Sequence, residues 1–437
     1  MGHSEAVSGP RAMLAGAFAG GWRAFFLRWL ALPAAAIAAL LIGALIILAM
    51  GANPLTGYHA LITGGFVGSY ALTSTAVKAV PLLLVGVGIC IAFRANVLNI
   101  GGEGQIAMGG LASTATALAL PSLPSILLIP LVLLAGAAGG AVWGAIPGLF
   151  KAYRNVNEIL STIMLNLVAI QLVNYLLSGP MIDRSESFAV VGRIPQTRLL
   201  SPTSWLPILI PGTQFHLGVV ISVLVAIGAW VLLRRTGFGF RIRSVGLSTE
   251  ASNYAGMPVK RTITMALTLS GAMCGLAGAM LVFGSISHRM VTDGTLTGFT
   301  GSDGFYGIVV ALFAGLSPLW TILSAYLFAG LLVGGVSLGI ALSVPYSQDL
   351  VTLIVGLVVC FVVALDAVRK RANLQAGPGA GAWRQLLAGV VPRLRAGPEP
   401  AAAAGHSPAS TEPGPDAPAQ APRRSLTPAE RSEEAPP

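Results

Sequence analysis

Charge is what this sequence has least of. Of 437 residues only 10% are Asp, Glu, Lys or Arg, against about 25% in an ordinary soluble domain. A globule of this length needs a charged skin, and this chain cannot supply one. Nucleotide-binding and metal chemistry lack their residues too. No lysine follows a glycine anywhere, so there is no phosphate-binding Gly-Lys-Ser/Thr loop. His-x-x-x-His and Cys-x-x-Cys spacings are absent, so no metal site is expected. The three cysteines, Cys90, Cys274 and Cys360, lie singly in apolar runs and read as buried small side chains. One Gly-x-Ser-x-Gly match, at Gly335, Ser337 and Gly339, lies at the end of an apolar run without the strand–turn–helix setting that a nucleophile needs. No basic, aromatic-interleaved platform for nucleic acid is present. No catalytic residue is assigned, and no enzyme activity is expected.

What the chain does have is apolar length. Residues of hydrophobic type make up 54% of it, gathered in runs of about 20, enough to cross a hydrocarbon core of about 30 Å. The runs fall at 29–50, 81–94, 105–120, 126–150, 159–177, 217–233, 263–283, 305–313, 319–338 and 350–368. The expected fold is an all-α, polytopic transmembrane bundle of about ten spans. The run at 305–313 is the shortest. The stretch 53–78, rich in Gly and Thr, reads as a connection. About 28 residues precede the first run, which is too long for a signal-peptide core and reads as a retained anchor.

Three divisions follow: a cytoplasmic segment 1–28, a membrane domain 29–371, and a Pro/Ala/Arg-rich tail 372–437. The tail is too poor in apolar bulk to fold. Within it, 383–391 reads either as a short helix on the membrane surface or as plain extension. Putting both termini in the cytoplasm places Lys151, Arg154, Arg234, Arg235, Arg241, Arg243, Lys260, Arg261 and Arg369 to Arg371 inside, as positive charge prefers. The net charge of +10 then answers to topology and anionic lipid.

Gly136, Gly140, Gly144 and Gly148 recur on one helical face, and Gly271 and Gly275 do so in another run. Both faces invite close approach by a second helix. The most informative segment is Asn99-Ile100-Gly101-Gly102-Glu103-Gly104-Gln105. It joins two apolar runs with almost no room for a loop. It is either an unwound stretch at membrane depth, satisfied by protein or water, or an ordinary turn outside the bilayer. Asp303-Gly304 echoes Glu103-Gly104 at the start of a later run, on the opposite side in this topology. That is the arrangement of an inverted repeat relating spans two to five with seven to ten. Asn99, Glu103, Gln105 and Asp303 are therefore the expected pathway residues. Asn157, Glu158 and Asn166 either join that group or tie helices together.

Between the sixth and seventh runs, Ser248 suits an N-cap, Glu250 the first turn, and Gly256 with Pro258 a stop. A helix of about two turns over 249–255 is expected, either docking in a cleft of a soluble partner or merely capped at the surface.

At these residues a resemblance becomes specific. Residues 93–105 look like the signature of ABC-transporter permeases of the branched-chain amino acid and simple-sugar group. The Asn-Ile-Gly-Gly-Glu-Gly-Gln form resembles the nucleoside-uptake subfamily. So do Val156-Asn157-Glu158 with Thr162 to Asn166, Gly246 to Met257, and Gly301 to Leu312. The resemblance covers roughly 31–371 and excludes the tail. It implies a permease subunit of an ATP-driven nucleoside importer in a bacterial plasma membrane. ATP would be bound by separate ATPase subunits, a second related permease would complete a heterodimer, and an extracytoplasmic binding protein would deliver the solute. The 249–255 helix would couple to the ATPase through Gly246, Glu250, Ala251 and Gly256. The alternatives are the same machine carrying a sugar or branched-chain amino acid, or an ATPase-independent channel or secondary transporter.

Overall fold

A computed structural model describes residues 31–184, 195–295, 297–342, 352–353 and 356–357. The expected run at 350–368 falls almost wholly outside these, as do the N-terminal segment before residue 31 and the tail. The described residues form twelve α-helices and one 3-10 turn, with no strand among them. In chain order the helices are α1 Ala31–Ala49, α2 Pro54–Phe66, α3 Ser69–Arg94, α4 Gly102–Ala119, α5 Ser125–Arg154 and α6 Glu158–Ser178, then α7 Leu217–Arg235, α8 Gly237–Leu247, α9 Thr249–Tyr254, α10 Val259–Phe283, α11 Asp303–Phe313 and α12 Pro318–Leu342. Six of them, α3, α5, α6, α7, α10 and α12, are long and apolar enough to cross a membrane.

The stretch 53–78 is not a connection. It forms α2 and the first ten residues of α3. Asn53 caps α2 by accepting from the Leu55 amide at 2.9 Å, and Pro54 occupies the first helical position. Three of the threonine hydroxyls in this region are satisfied internally. Thr63 donates to the His59 carbonyl at 2.8 Å, Thr73 to Ser69 at 2.8 Å and Thr75 to Gly65 at 2.7 Å. The glycines form a packing face: side chains at Gly64 and Gly65 would collide with Ser337 and Gly330 of α12. Pro81, read as the start of a span, lies inside α3.

Helix α3 is the most enclosed of the six spans. Every residue from Ala79 to Ala92 is buried. Helix α10 is the second most enclosed span, and its glycine face meets that of α5. A Cβ on Gly140 would strike Gly271 and Gly275, and one on Gly144 would strike Leu267 and Gly271. The two stripes legible in the sequence are thus partners, and their backbones touch where no side chain fits.

One end of the bundle gathers the C-terminus of α3, the α11–α12 turn and the short helices. Arg94 donates to the Leu316 carbonyl at 3.2 Å, and Gly246 of α8 sits on the Arg94 carbonyl. The opposite end carries Trp205 stacked on His288 at 3.9 Å, and isolated bridges pair Gln196 with Val291 and Ile208 with His216.

Candidate functional site

Helix α3 ends at Arg94, and Asn96 turns the chain with φ 57°. Residues 97–100 are non-helical, yet Asn99 is fully buried. Amide side chains hold this segment. Asn99 accepts from the Gly101 amide at 2.9 Å and donates to Gln105 Oε1 at 2.9 Å and Ser270 Oγ at 2.8 Å. Gln105 returns a bond to Asn99 Oδ1 at 3.1 Å. From α6, Asn166 donates to the Ile100 carbonyl at 2.9 Å and accepts from the Gly104 amide at 2.8 Å. An unwound backbone survives inside a bundle only with such partners. The segment is therefore interior, not an exposed turn.

Helix α4 then starts at Gly102, where it meets the start of α11. A Cβ on Gly102 would lie 3.2 Å from Gly304, and one on Gly304 would lie 2.5 Å from the Glu103 amide nitrogen. Glu103 is fully buried, and its Oε1 accepts from the Phe305 amide at 3.0 Å. A carboxylate in the first turn of one helix thus caps the N-terminus of the other, where negative charge is favoured. Asp303, also fully buried, accepts from Lys78 Nζ at 2.8 Å. The second oxygens of both carboxylates have no hydrogen-bond partner.

Lys78 joins this junction to open space. Its side chain is 33% exposed and lines a cavity of about 1110 Å³ between α2, α3, the end of α10 and α12. Asn99, Glu103, Gln105 and Asp303 do not line that cavity. Asp303 reaches it only through Lys78.

At the Arg94 end, α9 forms as its caps dictate. Ser248 Oγ accepts from the Ala251 amide at 3.2 Å, and Gly256 adopts φ 74°. Ala255 is the cap rather than a helical residue. Glu250, Ala251 and Gly256 are exposed, and so are Leu247 and Tyr254, at 89% and 92%. Gly246 does not share that surface; it fastens α8 to α3.

A transport-protein family described as branched-chain amino acid transport system / permease component matches residues 71–363. The chain belongs to that permease family. It is similar, at 35% identity over 77% of its length, to the guanosine ABC transporter permease protein NupP of Bacillus subtilis, 93% of which is covered. It is 31% identical to the nucleoside ABC transporter permease protein NupB of Lactococcus lactis, over 67% of this chain and 80% of the relative. It is 32% identical to the glucose ABC transporter permease protein TsgB13 of Haloferax volcanii, over 76% and 87%. With six apolar spans described, this permease is a multi-pass membrane protein.

Three residues of the junction escaped the sequence reading or were left open by it. Lys78 was hidden in the supposed connection, although a lysine one helical turn before an apolar run is itself a mark of function in a membrane protein. Ser270 carries no sequence signal; only the fold brings it to Asn99. Asn166 ties two elements together, whereas Asn157 is a local cap of α6, accepting from Ile159 at 2.9 Å. Glu158 pairs with Lys151 at 2.8 Å, clamping the α5–α6 turn of the permease.

Proposed function

We propose that this permease forms half of the membrane pathway of an ATP-driven nucleoside importer. The observation that carries the reading is the 35% identity to a guanosine permease across 93% of that protein. ATP would be bound by separate ATPase subunits, a second related permease would complete the pathway, and an extracytoplasmic binding protein would supply the solute. The glucose permease relative at 32% identity supports a second reading, a simple sugar carried by the same machine.

Ten spans and an inverted repeat belong to the proposal. Pairing α3 with α10, α4 with α11 and α5 with α12 relates the contacts of the two halves. Helix α10 packs on α5 and α4, as α3 packs on α12 and α11, while α3 with α10 and α4 with α11 are self-paired. Discontinuous helices whose N-termini converge are the device that broken-helix transporters use at mid-membrane. At 11 residues, α11 spans only about 16 Å, half the hydrocarbon core. In this reading Asn99, Glu103, Gln105 and Asp303 shape the pathway, both termini are cytoplasmic, and residues 29–371 form the membrane domain.

The test is uptake of labelled guanosine and uridine by the assembled complex, with and without a non-hydrolysing ATPase subunit. Saturable uptake that disappears with the inactive ATPase is expected. Glucose uptake in place of nucleoside uptake would transfer the assignment to the sugar reading.

Exposed α9, with Leu247 and Tyr254 beside Glu250, suits a groove in the ATPase. Glu250→Arg is expected to leave the purified permease as stable as before, because the side chain is exposed, and to cut substrate-stimulated ATP hydrolysis by about tenfold or more, a surface coupling of one to three kcal/mol. Unchanged coupling would place the ATPase contact elsewhere.

A further inference from the structure

The 1110 Å³ cavity is not explained by packing, and its chemistry is specific. Ligand pockets for small molecules run to roughly 300–1,000 Å³, so this one holds such a solute with water to spare. Its wall combines apolar residues of α12 with polar groups of α3 and the 285–287 segment, and two tyrosines, Tyr70 and Tyr306, border it. A lipid-facing surface would be aliphatic throughout; this one is not. Ser74 Oγ is buried against the cavity with no hydrogen-bond partner. An unsatisfied hydroxyl of this kind is costly unless something else supplies the bond.

Charge narrows the ligand further. Among the described residues, Lys78 and His216 are the titratable cationic side chains in the wall. Asp303, fully buried behind Lys78, neutralises it at 2.8 Å. One of the three donors of the ammonium is taken, which leaves two for the cavity. His216, just before α7, is held down at about 4 by burial first and by His288 second, so it is neutral at physiological pH. An anion would gain no net positive charge here and would face Asp303 and Glu103 beyond the lysine.

We propose that this cavity receives the transported nucleoside itself, with Lys78, fixed by Asp303, donating to a carbonyl or hydroxyl oxygen of an uncharged ligand, and with phosphorylated nucleosides refused. The proposal rests on the nucleoside reading for its ligand class, but the cavity's place on the route is testable apart from it.

The experiment uses the full complex in membrane vesicles, with Ser69→Cys and Ser287→Cys, both exposed residues of the cavity lining, introduced separately. Cys90 and Cys274 are buried, and labelling of the unsubstituted chain supplies the background. A small thiol reagent is applied with uridine, uridine monophosphate or glucose. Uridine at about ten times its half-saturating concentration is expected to slow labelling at both positions roughly tenfold, as mass action requires, and uridine monophosphate is expected to leave it unchanged. Uridine that is transported yet protects neither position overturns the cavity. Equal protection by the monophosphate overturns the selection for an uncharged ligand. Glucose that is both transported and protective, with uridine doing neither, sinks the nucleoside reading and keeps the cavity. In parallel, Lys78→Met should lower thermal stability, because buried Asp303 loses its partner, and in the protein that remains folded should raise KM for uridine by about tenfold, one lost hydrogen bond to a charged donor, at unchanged kcat per folded complex, with Lys78→Arg recovering most of both. A fall in kcat at constant KM would make Lys78 structural only.

Discussion

Gly275→Leu is expected to stop the permease from accumulating as a folded protein. A Cβ at this position would lie 2.7 Å from both Cα and N of Gly140 and would run into the Gly136 carbonyl. These are backbone atoms of a 30-residue helix, so no flexible side chain can swing aside. Over-packing a core costs roughly 1–3 kcal/mol when neighbours yield; here α5 and α10 must separate along the whole stripe, and about 3 kcal/mol is the least expected. Association of helices in lipid has no hydrophobic drive to offset the loss. The measurement is size-exclusion of the fluorescently tagged protein in mild detergent. Gly228→Leu, on α7 where an added Cβ meets nothing within 4 Å, should retain the monodisperse peak. Equal peaks for both variants would show that the stripe tolerates separation.

Asp303→Ala is expected to have the second largest effect, on both stability and uptake. It strips Lys78 of its carboxylate inside the bundle. Breaking a buried pair costs about 3–5 kcal/mol, reduced to roughly 2–3 kcal/mol because a third of Lys78 is exposed. Removing both charges together should relieve most of this. Lys78→Met with Asp303→Ala is therefore expected to melt close to the parent protein while still failing to take up nucleoside at low concentration. Thermal melts of the four purified proteins complete the cycle. A double variant as unstable as Asp303→Ala alone would mean that Asp303 acts through packing rather than through its charge.

Local rules made some elements readable and non-local ones hid others. Helix α9 was legible because Ser248, Gly256 and Pro258 act on their own neighbours. The glycine stripes announced close packing, but only the fold could say that Gly140 faces Gly271 and Gly275. Asn99, Glu103, Gln105 and Asp303 stood out as polar groups in apolar surroundings, and they converge on one buried junction. Their orientation relative to the cavity depends on which face α4 and α11 turn inward, and a period over so few polar residues does not encode it. Helix α2 and the start of α3 are not legible in the sequence, because Gly and Thr are weak helix formers. In a tight bundle the same residues are contact surfaces, with hydroxyls bonded to the preceding turn.

Pro81 gives α3 a joint. The rod from Lys78 to Arg94 is 17 residues of a helix, about 24 Å at the usual rise. Its far tip is gripped by Gly246 and by the Leu316 carbonyl. Proline leaves the Val77 carbonyl without its helical donor and loosens the axis there. A sideways push on α8 therefore acts on the stretch from Pro81 to Arg94, and the joint, three residues from Lys78, lets that stretch tilt while the lysine stays paired with Asp303.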